Sequence, residues 1–408
     1  MGAQPEVVIL GAGILGSALA WRLAARNICR GDSILVVDPN PAASQATSRA
    51  AALLSLARPS RKAHWIPLIK RTLSMVGELA SSGDAVPLHR IGALHLAGSA
   101  SARLVLADYE LTACRWGIRC ERVAPQSFAK RLPWLDMSRF SEALWLPDES
   151  YTDPYLLASA YVAAARAQGV GFLFGKPATL AANGSRVEVR IGETTLAPIS
   201  VWVAAGAWTN AILGPLGASA AQAAVRSQYW ISEPTPQANE AMPMVTAADL
   251  KLYARPELGA ILFGLREAHG VALASSRMPG DLAGFVFDAA DASGHATLEA
   301  FADALQAYAP GLMRTGLRHY VAGPSCYTPD GEFLVGPVEG WDNLNLICGC
   351  NGAGIAVSGG LADVAADCEN GVKKVAPTYR PGRFASIDPD APDFVASCIA
   401  ARAGKTSG

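Results

Sequence analysis

Short apolar runs alternate with glycine-rich turns and amphipathic stretches from the start of the chain. The first run, at 7–10, leads into a glycine turn at 11–16, and a helix-like stretch follows at 17–25. A second apolar run, at 34–37, ends at Asp38. Strand, glycine turn, helix, strand and acid stand here in the order of a dinucleotide-binding βαβ unit. Because all five elements agree in order and spacing, the pattern predicts such a unit rather than an ordinary glycine turn.

Each residue type in this unit has a physical reason. Gly11 permits the tight turn, Gly13 lets backbone N–H groups approach a pyrophosphate, and Gly16 lets helix and strand pack closely. The phosphates would lie at the positive end of the helix. Asp38 can accept hydrogen bonds from both ribose hydroxyls and would repel a 2′-phosphate, which disfavours NADP. The motif alone fits both NAD and FAD. The predicted contacts are Gly11, Gly13, Ile14, Leu15, Gly16, Asp38 and Pro39.

Small residues dominate the stretch at 39–54, with hydroxyls at Ser44, Thr47 and Ser48. One interpretation is a helix N-cap followed by an alanine-rich helix. The other is a loop that lies against a bulky ring system and therefore excludes large side chains. The position directly after the ribose acid favours the second interpretation. The predicted cofactor contacts in this loop are Thr47, Ser48, Arg49, Ala51 and Ala52.

A second strand, glycine turn and helix occurs late in the chain. Turn residues at 325–331 precede two apolar strands, a glycine-rich stretch at 348–354 and an Ala/Gly-rich helix at 355–370. Two glycine stretches that hold one molecule suit the long FAD better than NAD. A buried strand at 199–208 ends on small residues, which either approach a flat cofactor or pack a helix against the sheet. The further predicted FAD contacts are Ala178, Ala205, Gly206, Trp208, Asp330, Gly352, Ala353, Gly354 and Ile355.

The middle of the chain has a different pattern of apolar runs and turns. After an amphipathic helix at 64–79, a strand with glycine punctuation at 87–97 opens a new block, and alternating strands return at 224–287. We therefore predict a two-domain α/β (α+β) fold, in which a Rossmann-like FAD-binding domain is interleaved with a substrate domain on a mostly antiparallel sheet. The predicted segments are 1–86, 148–222 and 318–390 for the FAD domain, 87–147 and 223–317 for the substrate domain, and 391–408 for a C-terminal tail.

Composition excludes several classes of protein. With 51% hydrophobic and 17% charged residues, the 408-residue chain is globular rather than disordered. A net charge of −1 without a basic cluster argues against nucleic acid and anionic membranes as partners. We expect no membrane span, and the start at 1–6 has no cationic signal-peptide pattern. The eight cysteines and six histidines lack metal-ligand spacing, so we expect reduced thiols, no metal site and a cytoplasmic location.

These motifs together resemble the D-amino-acid oxidase superfamily of flavoproteins, which includes glycine oxidase, sarcosine oxidase and dimethylglycine dehydrogenase. The matching stretches follow the family order over nearly the whole chain. They are 8–16, 46–51, 153–154, 203–208, 253–257, 327–331 and 351–354. Residues 323–330 and 334–337 are most similar to the dimethylglycine and sarcosine dehydrogenase branch. Members of that branch carry a long C-terminal folate-binding region, which we do not expect here.

The resemblance implies a reaction. In this family a hydride passes from a carbon bearing an amine to flavin N5, the resulting imine hydrolyses, and oxygen or a protein or quinone acceptor reoxidises the flavin. The leading hypothesis is an FAD-dependent oxidoreductase of a secondary or tertiary amine, such as an N-methyl or cyclic amino compound. The alternatives are a D-amino-acid or glycine oxidase, a flavin-binding subunit of a hetero-oligomer, and an NAD(P) dehydrogenase. An oligomer is compatible with each of them.

Departures from the family pattern concern the substrate and the cofactor link. The arginine with which glycine oxidase-like members hold the substrate carboxylate is Ser325 here, and the lysine of sarcosine oxidase is replaced by an apolar residue, Ile355 or Ala356. The positions at which some branches attach FAD covalently are Arg49 and Gly323. We therefore expect an incomplete carboxylate clamp and non-covalent FAD.

Five residues are candidates for the substrate pocket. Tyr229, Tyr253 and Tyr327 would form its walls, with Arg58 or Arg255 as the partner of an anionic group. Arginine suits that role because its planar guanidinium binds a carboxylate through two hydrogen bonds. A strand tyrosine also fits a core position, and an arginine before a proline also fits a salt bridge between domains.

Overall fold

The computed structural model describes residues 4–81, 83, 86–384 and 387–405. Its strands and helices follow in chain order. The strands are β1 (Val7–Leu10), β2 (Ile34–Asp38), β3 (Leu53–Leu54), β4 (Leu88–Arg90), β5 (Ala93–Ala97), β6 (Glu121–Val123), β7 (Glu142–Leu146), β8 (Ser150–Thr152), β9 (Gly171–Phe174), β10 (Thr179–Asn183), β11 (Arg186–Ile191), β12 (Thr194–Leu196), β13 (Ser200–Val203), β14 (Ala223–Ser232), β15 (Met244–Ala247), β16 (Leu252–Glu257), β17 (Ala260–Leu265), β18 (Ala272–Leu273), β19 (Leu317–Tyr327), β20 (Leu334–Pro337) and β21 (Leu344–Cys348). The helices are α1 (Ile14–Ala25), α2 (Ile66–Ser81), α3 (Ala100–Arg115), α4 (Pro154–Ala167), α5 (Thr209–Leu213), α6 (His295–Ala300), α7 (Ala302–Tyr308), α8 (Pro310–Met313), α9 (Gly354–Glu369) and α10 (Pro392–Ala403).

The first sheet has the strand order β20-β21-β13-β1-β2-β9 and is parallel except for the β20–β21 pair. Both faces of β1 are covered, which explains its unbroken apolar run. Val7 and Ile9 pack in the core that contains α1, α4 and α9, whereas Val8 and Leu10 pack in the core that contains β10–β12. Helix α1 begins earlier than the sequence pattern predicts, because the extended backbone of Gly13 caps it and Gly16 lies inside the helix.

The second sheet has the order β18-β14-β17-β16-β15-β5-β7-β6, with β19 paired to the other side of β14. It is antiparallel apart from the β5–β15 pair. The predicted boundary at 318 assigned nearly all of β19 to the FAD domain. The structure differs, since β19 pairs with β14 along its length, from Tyr327 opposite Ala223 to Leu317 opposite Ser232. The other domain boundaries stay predictions.

The segment predicted as a C-terminal tail forms α10. Phe394, Val395 and Ile399 pack with the fully buried Cys398 against β14 and β19. Short polar segments flank the helix, so its apolar stripe is difficult to recognise in the sequence. Residues 406–408 at its end lie outside the described residues, as do residues 1–3 of the start on which the signal-peptide prediction rests.

Two further features concern membranes and metals. Within the described ranges, none of the helices combines the length and apolar character that a membrane crossing requires. Among the same residues, no three His, Cys, Asp or Glu side chains come together in a way that could hold a metal ion.

Candidate functional site

A cavity of about 500 Å³ lies between the two sheets. It opens at the carboxyl ends of β1, β2 and β13, where ligands bind in open α/β sheets. Its other walls come from the small-residue loop after β2, from β14, β16, β17 and β19, from the turn before α9, and from α10. The volume is within the range of ordinary cofactor and ligand sites.

The glycine turn after β1 is fixed by backbone contacts. Gly11 has φ +112°, and a Cβ there would lie 2.6 Å from the carbonyl oxygen of Ala204. A Cβ on Gly16 would lie 1.9 Å from the carbonyl oxygen of Gly11. Gly16 itself is not on the cavity wall, so it acts by letting α1 pack against the turn. Gly13, Ile14 and Leu15 line the cavity.

Asp38 closes the same end of the cavity. Its Oδ2 accepts a hydrogen bond from the backbone N–H of Ala12 at 2.7 Å, and its Oδ1 accepts one from Asn40 at 2.8 Å. Burial raises the pKa of Asp38, while these two N–H groups oppose that shift. The carboxylate thus ties the glycine turn to the end of β2. Pro39 and Ala178 lie beside it on the wall.

The small-residue loop is tied to the start of α1. Thr47 Oγ1 accepts a hydrogen bond from the Ile14 N–H at 3.1 Å. Arg49 lines the cavity and donates to the carbonyl oxygens of Ser44, Gln45 and Leu282. Ala51 and Ala52 also lie on the wall. Ser48, predicted as a cofactor contact, is not on the wall, because its hydroxyl caps the loop by donating to the carbonyl oxygens of Ser44 and Gln45.

The late glycine turn forms the opposite wall. Gly352, Ala353, Gly354 and Ile355 line the cavity at the start of α9, and Ala205, Gly206 and Trp208 line it at the end of β13. Asn351 holds the turn, since its Oδ1 accepts from the Thr328 N–H at 3.0 Å. Asp330 is not on this wall. Its carboxylate pairs with Arg383, with Nε–Oδ2 at 2.8 Å, and borders a smaller neighbouring cavity instead.

The residues present fit FAD. Two glycine turns, one acid and the small-residue loop border one continuous cavity, so that adenosine, pyrophosphate and ring system would each meet backbone or small side chains. A Cβ on Gly11 would collide with backbone, which shows how closely the neighbouring backbone approaches Gly11.

Four of the five predicted substrate-pocket residues meet at the other end of the cavity: Arg58, Tyr229, Tyr253 and Tyr327. Tyr253 faces Gly264 across the β16–β17 pair, and its ring fills the space that a Cβ on Gly264 would need. Burial raises the pKa of Tyr253 to about 12 and raises that of Tyr229 further. Both phenols are therefore neutral hydrogen-bond donors near pH 7.

Arg255, the fifth candidate, does not reach the cavity. Its Nε donates to the carbonyl oxygen of Ala51 at 2.8 Å, its Nη1 pairs with Glu257, and its guanidinium lies 4.5 Å from the ring centre of Tyr151. Arg255 thus fastens the small-residue loop to β16. The prediction that it binds a substrate anion disagrees with this geometry.

Arg58 is buried, with 2% of its surface exposed. The backbone before it is held by Glu149, whose two oxygens accept from the N–H groups of Leu56 at 2.9 Å and Ala57 at 2.7 Å. Burial raises the pKa of Glu149 to about 7. Burial and the nearby Arg58 lower the pKa of His95 to about 4, so His95 is neutral at physiological pH.

Three further cations that the sequence pattern does not predict line this end: Arg266, Arg402 and Lys405. Arg402 is 3% exposed and pairs with Glu267, with Nη2–Oε2 at 3.0 Å. Arg266 and Glu267 are consecutive in the sequence and directly follow an apolar strand. This pattern indicates a functional position, because charged residues at a buried strand end are unusual. Arg402 and Lys405 lie in the segment that the sequence pattern predicts as a tail.

The family model described as "FAD dependent oxidoreductase" (DAO) matches residues 6–368. Among curated proteins, dimethylglycine dehydrogenase from Mus musculus is 25% identical over 383 residues, which cover 89% of this chain. A 4-methylaminobutanoate oxidase (formaldehyde-forming) from Paenarthrobacter nicotinovorans is 25% identical over 362 residues and 87% of this chain. In both cases the match covers 42% of the relative, so the chain spans less than half the length of these proteins.

Solved structures share the fold. The crystal structure of L-proline dehydrogenase from P. horikoshii has a TM-score of 0.79 at 19% identity and covers 94% of this chain, with 98% of its own length aligned. This likeness confirms the predicted α/β class, and the family match confirms the resemblance that the motifs predict. The chain therefore belongs to the DAO family of FAD-dependent oxidoreductases.

Proposed function

We propose that this protein oxidises the carbon next to a secondary or tertiary amine, in an N-methyl or cyclic amino compound. The observation that carries amine oxidation is the charge at the substrate end of the cavity, and the choice of a secondary or tertiary amine rests on the relatives named below. Arg58, Arg266, Arg402 and Lys405 line it, whereas the only described carboxylate on the cavity wall is Asp38 at the adenosine end. Positive charge disfavours a protonated substrate amine. The amine would therefore bind neutral, with its lone pair available to assist the departure of a hydride.

The chain's own residues would position the reactants. When bound, FAD supplies the acceptor for the hydride. Asp38 and the glycine turn would hold its adenosine and pyrophosphate, and residues 49–52 and 352–355 would border its ring system. The rings of Tyr229 and Tyr253 offer apolar surface for a methyl group or a small ring. Their raised pKa values make both phenols donors rather than bases.

Two relatives support the substrate class. Dimethylglycine dehydrogenase and 4-methylaminobutanoate oxidase are named for N-methylated amino acids, and both align with 87% or more of this chain. We extend that chemistry to this protein as a proposal. Oxygen, a quinone or a protein would reoxidise the flavin. The eight cysteines are unpaired, which supports a reducing compartment such as the cytoplasm.

The substrate proposal is tested by anaerobic bleaching of the flavin. We expect sarcosine, dimethylglycine or proline to bleach the absorbance near 450 nm at least about tenfold faster than glycine or D-alanine, because a tenfold preference corresponds to about 1.4 kcal/mol of transition-state binding. Stopped-flow absorbance with equal concentrations of each amine gives the rates. Equal or faster bleaching by the primary amines would contradict the proposed preference for secondary and tertiary amines. No bleaching by any amine would favour a role as a flavin-binding subunit.

We also propose that FAD is held without a covalent bond. Arg49 and Gly323 are neighbours, since a Cβ on Gly323 would lie 3.0 Å from the side chain of Arg49. Neither residue carries a nucleophile. Cys326 lies on the cavity wall, but burial raises the pKa of its thiol, which disfavours the reactive thiolate. Precipitation with trichloroacetic acid should leave all flavin in the supernatant, measured by its fluorescence. Yellow colour in the washed pellet would disprove this.

A further inference from the structure

Lys405, just after α10, reaches the substrate end of the cavity. Its Nζ donates to the carbonyl oxygen of Asn351 at 2.9 Å, and a Cβ on Gly352 would lie 2.9 Å from the same nitrogen. The ammonium therefore lies against the late glycine turn, near the place where the family lysine is replaced by an apolar residue. Lys405 lies well outside the family match, which ends at 368.

The carboxylates nearest to these cations face arginines rather than Lys405, and Glu149 lies near Arg58. Glu267 pairs with Arg402 at 3.0 Å and with Arg226 at 3.7 Å, and the Lys405 ammonium has no carboxylate within ion-pair distance among the residues that the structure describes. Burial lowers the pKa of Lys405, and the charges of Arg266 and Arg58 lower it further. An anion in the cavity would offset both effects, since an opposite charge favours the charged form of an amine.

A second cavity of about 120 Å³ borders the same group of residues. Arg58, Tyr327 and Lys405 line both cavities, so these three side chains form the partition between them. Arg61 and Lys62 also line the second cavity, where Lys62 pairs with Glu332 at 2.5 Å and Asp330 pairs with Arg383. Arg61 therefore adds positive charge on the second side of the partition, which favours an anionic group at this position.

We propose that Lys405 and Arg58 together bind the carboxylate of an amino acid substrate, so that the segment after α10 sets the specificity for acids over neutral amines. A carboxylate fits because its two oxygens can accept from an ammonium and a guanidinium at once. This clamp would replace the family arginine that is Ser325 here. The inference rests on the proposed amine oxidation for the identity of the ligand.

The binding test uses the FAD-bound enzyme and an unoxidisable probe. Pyrrole-2-carboxylate resembles a cyclic amino acid, and pyrrole-2-carboxamide is its neutral counterpart. Loss of a hydrogen bond to a charged group corresponds to a fall in affinity of about 10- to 100-fold. We expect Lys405→Met to weaken binding of the carboxylate by this factor and to leave the carboxamide unchanged. Calorimetry and perturbation of the flavin spectrum give both affinities.

Two variants serve as controls. Lys70 is exposed on α2 and donates to the carbonyl oxygen of Trp116 at 3.0 Å, so Lys70→Met removes the same kind of bond outside the cavity and should change neither affinity. Lys405→Arg keeps the charge and should restore at least part of the carboxylate affinity. Comparison of Lys405→Arg with Lys405→Met separates loss of charge from disturbed packing of α10. The melting temperature of each variant reports on the packing.

The outcomes separate this inference from the proposed function. If amines bleach the flavin but Lys405→Met binds the carboxylate as tightly as the wild type, the clamp is wrong and amine oxidation stands. If no amine bleaches the flavin but the variant loses carboxylate binding, the proposed reaction is wrong and the anion site stands. With an active substrate, the clamp predicts a raised KM for proline in Lys405→Met and an unchanged KM for prolinamide.

Discussion

Replacement of Gly16 by alanine is expected to yield a protein that retains no FAD and loses about 3 kcal/mol or more of its free energy of unfolding. The added Cβ would lie 1.9 Å from the carbonyl oxygen of Gly11, which is backbone and cannot rotate away. Gly11 is itself in contact range of Ala204, so the turn has no room to retreat. Flavin content per chain and urea denaturation measure the two effects.

Gly77 provides the matched control. It lies inside α2, is exposed, and a Cβ there would have no neighbour within 4 Å. The same change, Gly77→Ala, should leave FAD binding intact and stabilise the protein by about 0.5–1 kcal/mol, because alanine is the better helix former. A Gly16→Ala protein with a full complement of FAD would show that α1 can shift away from the turn.

Replacement of Asp38 by alanine is expected to weaken FAD binding by about 100-fold or more. The variant loses the acceptor for the N–H groups of Ala12 and Asn40, each bond being worth about 1.5–3 kcal/mol when the partner is charged. It also loses the predicted contact with the ribose. Titration of the apoprotein with FAD, followed by quenching of flavin fluorescence, gives the dissociation constant.

Asp32 is a suitable comparison for this measurement. Its carboxylate is exposed just before β2 and pairs with Arg30 rather than with the glycine turn. Asp32→Ala removes the same charge and should leave the dissociation constant within about twofold of the wild type, as exposed ion pairs contribute little. If Asp38→Ala behaved like Asp32→Ala, the acid would be needed neither for the turn nor for the ribose.

The cofactor half of the site could be predicted from the sequence because its constraints are local. Gly11, Gly13 and Asp38 belong to a unit of fewer than forty residues, in which each position is restricted by backbone geometry. Ser48 was misplaced for a related reason. A hydroxyl in such a loop can face the cofactor or cap its own turn, and nothing in the order of residues distinguishes the two.

The substrate half depends on tertiary structure. Arg58, Arg266 and Lys405 come from three distant segments, and only the packing of α10 on β14 and β19 brings the last of them to the cavity. Tyr253 and Arg255 lie two positions apart on β16, so strand alternation puts both on one face. Arg255 nevertheless ends at the carbonyl oxygen of Ala51, beyond the cavity. The alternation of side chains along the strand could not reveal that difference.

The strand order of the first sheet has a consequence for biosynthesis. β1 lies between β2 and β13, and β13 in turn pairs with β21, which ends at Cys348. The ribosome therefore releases the glycine turn hundreds of residues before the last strand of its sheet exists. Sheets assembled from such distant segments fold slowly, because chain entropy is lost before the contacts form. We expect the nascent chain to acquire its flavin only after synthesis of β21, and to depend on chaperones until then.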